Sequence, residues 1–356
     1  MSSNPFEAET EAIIRVTAYH RRDKDEKVIS FRPLKQERIR DLLSTAFPEY
    51  RLSEQRGRLK VLPIELLQKV CLELDIESLF RFRQVSFRYR QVVTGIFEYR
   101  AIATYATTAL LALFRTDMAK CTTLLQLYQP LTETWCVTCG KFGGFLFIPM
   151  ATRCCLDCIY DTRNFRMLTL HSIFKSTKIS LRKLRTLMPV LKTVPGWYGR
   201  YEATRQKSVS YVTLSHALEA MESLKGRDAP EVLKVSKITL MNPTRTQENC
   251  ESSTSLPTFD PTTFTAYWGL SCRGCAAGMD HPMFPRISDS RQLPADIEKI
   301  YSKAEFMAHF QVCAMARTLW AASEGGTGDV SYLESRFSIN GGFDPRRMVP
   351  DGASAW

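Results

Sequence analysis

Cys136-Val137-Thr138-Cys139-Gly140 and, a short way downstream, Arg153-Cys154-Cys155-Leu156-Asp157-Cys158 hold two Cys-x2-Cys pairs. Two intervening residues let both thiolates of a pair turn toward one ion, and two such pairs supply the four ligands of a tetrahedral zinc site. The residue after a pair often needs a backbone conformation that glycine adopts cheaply, and Gly140 occupies that position. Between the pairs, Gly143-Gly144 leads into Phe145-Leu146-Phe147-Ile148, an aromatic and aliphatic run that reads as a strand or half of a hairpin. Cys136, Cys139, Cys155 and Cys158 are therefore the expected ligands of a small zinc knuckle or ribbon. Cys154 is read as a bystander, because only Cys155 keeps the two-residue spacing to Cys158. Buried core thiols or disulfides would have to reproduce two paired spacings at once. Four thiolates close the shell and leave no place for an activated water, so the zinc is expected to be structural. Such a site supplies about 10–16 kcal/mol of apparent binding free energy to a unit with little core of its own.

A second, looser set lies toward the other end: Cys272-x2-Cys275, a long gap, then His309-x3-Cys313. Residues four apart share a helix face, and Lys303 to Leu319 has the composition of a helix. Alone, His309 would be an ordinary partly buried histidine and Cys313 a small hydrophobe. With the pair upstream, Cys272, Cys275, His309 and Cys313 form a second candidate zinc site. Cys71, Cys121 and Cys250 have no partner at ligand spacing and default to core or surface thiols.

At 356 residues the chain can bury a sizeable core across two or three domains. No charged-then-apolar leader opens it, and no apolar stretch reaches the roughly 20 residues needed to span a bilayer. Ala101 to Phe114 comes nearest, but Thr104, Thr107 and Thr108 suit a packed soluble helix better. Eleven cysteines without a leader point to a reducing compartment, so the expectation is a cytoplasmic or nuclear protein with no membrane partner. The formal charge of +11 raises nucleic acid as a partner. The positive groups, Arg21-Arg22, Arg56 to Lys60, Arg81 to Arg90 and Arg182 to Arg185, are short, separate and mixed with acids or apolar residues, which fits a solvated surface better.

Leu59 to Arg100 reads as three short helices. Pro63 suits the first turn of the first, whose apolar face is Leu62, Leu66, Leu67, Val70 and Leu74. Asp75 offers an N-cap for a second helix with Leu79, Phe82 and Val85, and a third follows from Ser86 with Tyr89, Val92, Val93, Ile96 and Phe97. Three helices in so few residues cannot bury all these groups, so part of the apolar face is expected to be covered by another protein.

Leu62-Pro63-x-Glu65-Leu66-Leu67, Leu74-Asp75, Leu79 and Val85-Ser86-Phe87-Arg88-Tyr89 resemble an F-box, the docking motif of substrate-receptor subunits in SCF ubiquitin ligases. The resemblance implies a three-helix fold that binds the Skp-type adaptor and, through it, the cullin scaffold. The residues it carries over as adaptor contacts are Leu62, Pro63, Leu66, Val70, Leu79, Val85, Ser86 and Tyr89. Tyr89 stands where the family usually has tryptophan. Downstream, Cys136-x2-Cys139-Gly140-x-Phe142-Gly143-Gly144-Phe145-Leu146, Arg153-x-Cys155-x2-Cys158 and Pro195-Gly196-x-Tyr198 are similar to a group of fungal F-box domain proteins with cysteine-rich regions. In that group a later Cys-x2-Cys and His-x3-Cys recur, as they do here. The resemblance spans roughly Leu59 to Leu319 and names no substrate.

The expected fold is mainly α with small β elements: an N-terminal three-helix F-box followed by a zinc-stapled α+β region. Residues 1–58 are expected as a weakly ordered basic arm, although Arg32 to Phe47 can hold a short helix. Residues 59–100 form the F-box, 101–200 a helical segment and the four-cysteine knuckle, and 201–320 an α+β region with the second set. Ser180 can cap a helix through Leu187, Val209 to Val212 reads as a strand, and Ser215 can cap a helix through Leu224. Asn249 to Thr263 is expected as a mobile loop, and residues 321–356 as a disordered tail.

No leucine-rich, WD or kelch period is present. A phosphate-cradling glycine loop, a Gly-x-Ser-x-Gly elbow and a His-Glu-x-x-His are also missing, so no enzymatic activity is expected. A RING-type ligase would interleave its two metal sites in one module, whereas these sets lie far apart in sequence. A zinc-dependent DNA-binding or protein-interaction module outside ubiquitination is the alternative function. A DNA reader would want a base-reading helix beside the metal, and aromatic strand residues flank the knuckle instead.

Overall fold

The computed structural model describes residues 5–45, 58–161, 165–199, 203–226, 230–241, 246–280 and 296–343. Helices outweigh short strands, in keeping with the expected class. Two compact units form: residues 27–267, and residues 1–26 together with 268–356. The linear partition read from the sequence crosses both.

In the larger unit, the three expected helices run Ile64–Glu73, Ile76–Val85 and Phe87–Gly95. The Ser78 amide donates to the Asp75 carboxylate at 2.8 Å and the Tyr89 amide to the Ser86 hydroxyl at 3.3 Å, so both expected caps form. Leu67, Cys71, Ile76, Leu79, Val92 and Val93 are buried. The chain itself closes part of this core. The Ile76 amide donates to the Thr122 carbonyl at 2.9 Å. On another side the Arg83 guanidinium and the Tyr99 hydroxyl donate to the Leu43 carbonyl at 3.1 and 3.3 Å. Leu43 lies in the last turn of the Pro33–Ser44 helix, where orphan carbonyls and the negative end of the helix dipole favour such donors. Ala101 to Phe114 is divided at Ala106 between the Phe97–Tyr105 and Thr107–Arg115 helices. Leu124–Thr132 follows, opened by a capping box between Thr123 and Gln126.

Phe145–Phe147 pairs antiparallel with Thr152–Cys154, giving the expected hairpin, and its other edge pairs with Ser253–Ser255. That third strand corrects the expectation of a mobile loop over Asn249 to Thr263. The segment holds buried residues 253–255, and Thr258–Asp260 pairs with Thr265–Tyr267. Two of the hydroxyls that suggested a solvated loop are bonded internally: Ser253 donates to the Asn249 carbonyl at 2.8 Å and Thr254 to the Ile29 carbonyl at 2.9 Å. Beyond the hairpin, Ser210–Thr213 lies between Met167–Thr169 and Leu191–Lys192 in a second small sheet. The Leu181–Leu187 helix is capped by Ser180 as expected, whereas Leu214–Lys225 is capped by Thr213 and not by Ser215. Leu168, Ile173, Leu184, Val212, Ala217 and Met221 form the core between these elements.

The smaller unit joins the two ends of the chain. Residues 5–17 form a helix and Ala18–Tyr19 pairs antiparallel with Ser271–Cys272, so this part of the expected weakly ordered arm is ordered. Ile13 enters one apolar cluster with Phe306, Leu319 and Leu333. The segment looked weak because its apolar residues find partners only some three hundred positions away. The tail differs for the same reason: residues 323–343 include Ser331–Leu333 and Arg336–Ile339, with Leu333 buried, while 344–356 lie outside the described residues. Arg21 is buried over the Phe337 ring, 4.9 Å from its centroid, and donates to Asp23 Oδ1 at 2.7 Å and the Ile297 carbonyl at 2.8 Å.

One side chain holds the hairpin to its surroundings. Arg153 is fully buried, and its guanidinium donates to the carbonyls of Pro130 at 2.7 Å and Leu256 at 3.4 Å, and to those of Gly143 and Pro257. A Cβ on Gly143 would come within 2.7 Å of Arg153 Cγ, so glycine is required for the approach. Burial draws the guanidinium pKa down to about 10, which leaves it cationic at neutral pH. Arg153→Leu is expected to lower the unfolding free energy by about 3 kcal/mol or more, since orphaned buried carbonyls cost about 1–3 kcal/mol each. A urea titration with an unchanged midpoint would contradict this role.

Candidate metal centres and helical docking face

The ligand atoms of Cys136, Cys139, Cys155 and Cys158 all lie within 4.8 Å of one another. The closest pair, Cys139 Sγ and Cys155 Sγ, is 3.6 Å apart. A tetrahedral zinc with metal–sulfur bonds of about 2.3 Å places sulfurs about 3.8 Å apart, so the four donors fit one ion. Backbone geometry aims them. Gly140 has φ of +68° and its amide donates to the Cys136 carbonyl at 2.9 Å, which turns the first pair inward. Cys155 caps the Leu156–Tyr160 helix, and its sulfur accepts from the Cys158 amide at 3.4 Å. Cys154 is fully buried and lies outside this group, with its sulfur 3.7 Å from the Phe145 carbonyl; burial pushes its thiol pKa well up.

Cys272, Cys275, His309 and Cys313 converge in the same way, with ligand atoms within 4.8 Å of one another. Cys313 Sγ lies 3.9 Å from Cys272 Sγ and 3.8 Å from Cys275 Sγ, and His309 Nε2 lies 3.3 Å from Cys275 Sγ. The single helix expected from Lys303 to Leu319 is instead two, Lys303–Val312 and Ala314–Ala322, broken at Cys313. Cys313 takes the N-cap position of the second, with extended backbone, which is how His309 and Cys313 meet at one point while spanning a bend.

Two residues of this second centre escaped the sequence reading. Tyr301 is buried, stacks on the His309 ring at 4.9 Å and places its hydroxyl 3.3 Å from His309 Nδ1. With a metal on Nε2, Nδ1–H would donate to that hydroxyl, which would hold the ring's tautomer and angle. Gly274 lies against the other helix: a Cβ there would come within 2.3 Å of the Ala316 amide nitrogen. Its only sequence signal was its place inside Cys272-Arg273-Gly274-Cys275.

Crowding splits the thiol titrations. Hydrogen bonding from Cys155 holds Cys136 down to about 4, and the same bond pushes Cys155 far up. Likewise Cys313 is held down by hydrogen bonding with Cys272, while hydrogen bonding to Cys272 and Cys313 pushes Cys275 up. Crowding thus disfavours full deprotonation of either the four thiols of the first set or the three of the second, and a bound cation would offset that repulsion. The other thiols keep their default roles: Cys71 and Cys250 are buried and Cys121 is exposed.

The three-helix segment leaves a row of large apolar residues uncovered. Val61, Ile64, Leu66, Val70, Val85 and Phe87 are all exposed, Val61 at 86 % and Val85 at 68 %. Of the eight adaptor contacts inferred by resemblance, Pro63, Leu66, Val70 and Val85 are exposed, and Leu62, Ser86 and Tyr89 are half-buried. Tyr89 rests on the Phe82 ring at 4.4 Å. Leu79 is the correction: it is fully buried, because it lies one turn after Ile76 on the inward face of its helix. Val61, Ile64 and Phe87 belong with the exposed set instead.

Residues 59–99 match the F-box domain family. No curated protein and no solved structure matches the chain. The chain thus carries an F-box domain, the module through which F-box proteins take part in SCF ubiquitin ligases. F-box domains generally bind Skp-type adaptors.

Elemental analysis of purified protein should find two metal ions per chain. The Cys136→Ser, Cys139→Ser double variant should lose one and His309→Ala the other, and an unchanged metal content in either refutes that site. Tyr301→Phe should weaken the second site alone by about 10–100-fold in a chelator competition.

Proposed function

We propose that this chain is a substrate receptor of an SCF-type cullin-RING ubiquitin ligase. Its F-box takes the Skp-type adaptor and, through it, the cullin scaffold, and its downstream region takes a protein substrate. The observation that carries this is the F-box match coinciding with exposed Leu66, Val70, Val85 and Phe87. Apolar side chains at that density are the chemistry of a covered interface. Both ligand sets hold structural Zn2+: neither contains a donor other than cysteine and histidine, and each fills four positions. The chain carries no active site of its own. Ubiquitin is transferred by other subunits, and the receptor contributes by raising the substrate's effective concentration beside them. Such a protein works in the cytoplasm or nucleus, where thiols stay reduced.

Co-expression with a Skp-type adaptor and affinity capture tests this directly. The native chain should retain the adaptor stoichiometrically, and Leu66→Asp with Val70→Asp should lose it while melting within a few degrees of native. Leu79→Ala should instead cost about 2–5 kcal/mol of stability, because it empties a core position. A soluble native chain that captures no adaptor would refute the receptor role.

A further inference from the structure

In the larger unit the helices Leu170–Thr177 and Leu181–Leu187 are joined by a turn of three residues, Lys178, Ile179 and Ser180. Local chemistry builds the turn. Thr169 caps the first helix, its hydroxyl accepting the Ser172 amide at 3.1 Å. Lys178 ends that helix in the left-handed region, with φ of +62° and its amide donating to the Phe174 carbonyl at 2.8 Å. Ser180 opens the second helix by accepting the Lys183 amide at 3.3 Å. Ile173 and Leu184 are fully buried in one cluster, with Phe174, Ile179, Leu181 and Leu187 packed against it. The strand Met167–Thr169 leads directly into the first helix, Leu191–Lys192 follows the second, and Ser210–Thr213 pairs with both strands. The connection from Leu191–Lys192 to Ser210–Thr213 carries a further antiparallel pair, Gly196–Tyr198 with Ala203–Arg205. In element order and pairing this is a helix-turn-helix backed by a three-stranded sheet, with a hairpin in its last connection.

The sides of these helices left outside the cluster are cationic. From residue 162 to residue 218 the sequence has eleven lysines and arginines and a single acid, Glu202, so nearly all of the net charge of +11 originates here. Lys192 and Arg205 are neutralised by Asp117 and Glu251. Lys175 and Lys178 on the first helix and its end, and Arg182, Lys183 and Arg185 on the second, are exposed and have no ion pair among the described residues. In sequence Arg182 to Arg185 reads as a solvated surface; folded, it joins Lys175 and Lys178 on two helices that share a core.

The composition of this surface selects its partner. Neither helix exposes a large apolar residue, whereas the centre of a protein interface is apolar and poor in lysine. Neither exposes a Phe, Tyr or Trp on which unpaired bases could stack. Duplex DNA instead presents one negative charge per about 1.7 Å of its axis, and cations without carboxylate partners are what it takes. A helix pair joined by a short turn is also a support that DNA-binding proteins use against a duplex.

We propose that this helix-turn-helix binds double-stranded DNA, with Lys175, Lys178, Arg182, Lys183 and Arg185 neutralising phosphates. The activity is separate from the receptor role and gives the chain a second class of partner. Contacts to phosphates carry no sequence information, so a duplex of arbitrary sequence is bound and salt weakens it steeply.

The test is fluorescence anisotropy of the full chain with a labelled 20-base-pair duplex of arbitrary sequence over a series of salt concentrations, beside its separated strand and a labelled 20-residue oligoglutamate. The duplex should bind saturably, tighter than the strand and at least tenfold tighter than oligoglutamate, with log K falling linearly in log salt. Lys183→Glu should weaken duplex binding tenfold or more, although it completes a Ser-x-x-Glu capping box with Ser180. Lys178→Gly should reduce the salt slope by about 1, although glycine suits the left-handed backbone there. Neither change should lower the melting temperature, so a loss of binding is not a loss of fold. Arg38→Glu, at an exposed position of the Pro33–Ser44 helix and equal in charge change to Lys183→Glu, should bind as the native chain does. No saturable duplex binding, oligoglutamate or the single strand binding as tightly as the duplex, or Arg38→Glu weakening it as much as Lys183→Glu overturns the proposal. Adaptor capture by the same preparations is read separately: its failure would refute the receptor role and leave DNA binding standing.

Discussion

Two groups of four ligand atoms, with sulfurs 3.6 to 3.9 Å apart, come together at the spacing that tetrahedral coordination of one ion gives. One such group lies in each compact unit. In the larger unit the cysteine pairs bracket a hairpin of three-residue strands, too short to be stable by itself. It persists because a third strand comes from residues 253–255 and because Arg153 fastens it to two further segments, at Pro130 and at Leu256-Pro257. In the smaller unit, the Arg273–Asp280 and Ala314–Ala322 helices approach so closely at Gly274 that their ends meet in one ligand cluster.

Cysteine spacing and the three-helix pattern were legible because both are local. A Cys-x2-Cys pair or an apolar face at helical period is written in neighbouring residues, and so were the caps Asp75, Ser86 and Ser180. What escaped depends on partners distant in the chain. Ile13 gives no sign that Phe306 and Leu333 await it, and a run of serine and threonine does not announce that Phe145–Phe147 will take it as a third strand. Tyr301 was invisible as a support for His309 because its role exists only once the ring stacks. Leu79 was assigned outward by resemblance, yet helical period from Ile76 already turned it inward.

Burial of Arg153 shows how polar groups can specify a fold as well as apolar ones. Its donors satisfy the carbonyl of Pro130, in the last turn of the Leu124–Thr132 helix, and those of Gly143, Leu256 and Pro257. No aliphatic side chain can do this, and lysine, with one nitrogen, cannot reach four acceptors in a fan. The guanidinium's planarity therefore sets the relative positions of the Leu124–Thr132 helix, the hairpin and the 256–257 loop.

The same logic joins the F-box to the rest of the larger unit. The F-box is not a detachable bead: the start of its second helix is bonded to the turn at residues 118–122 through the Ile76 amide and Thr122 carbonyl, 2.9 Å apart. Met118 and Thr122, in that turn, are buried. One short element thus supports the helix that presents Val85. The connection is a hydrogen-bonded turn within one compact unit, so the second F-box helix is held to the residues that follow the F-box by backbone bonding as well as by the chain itself.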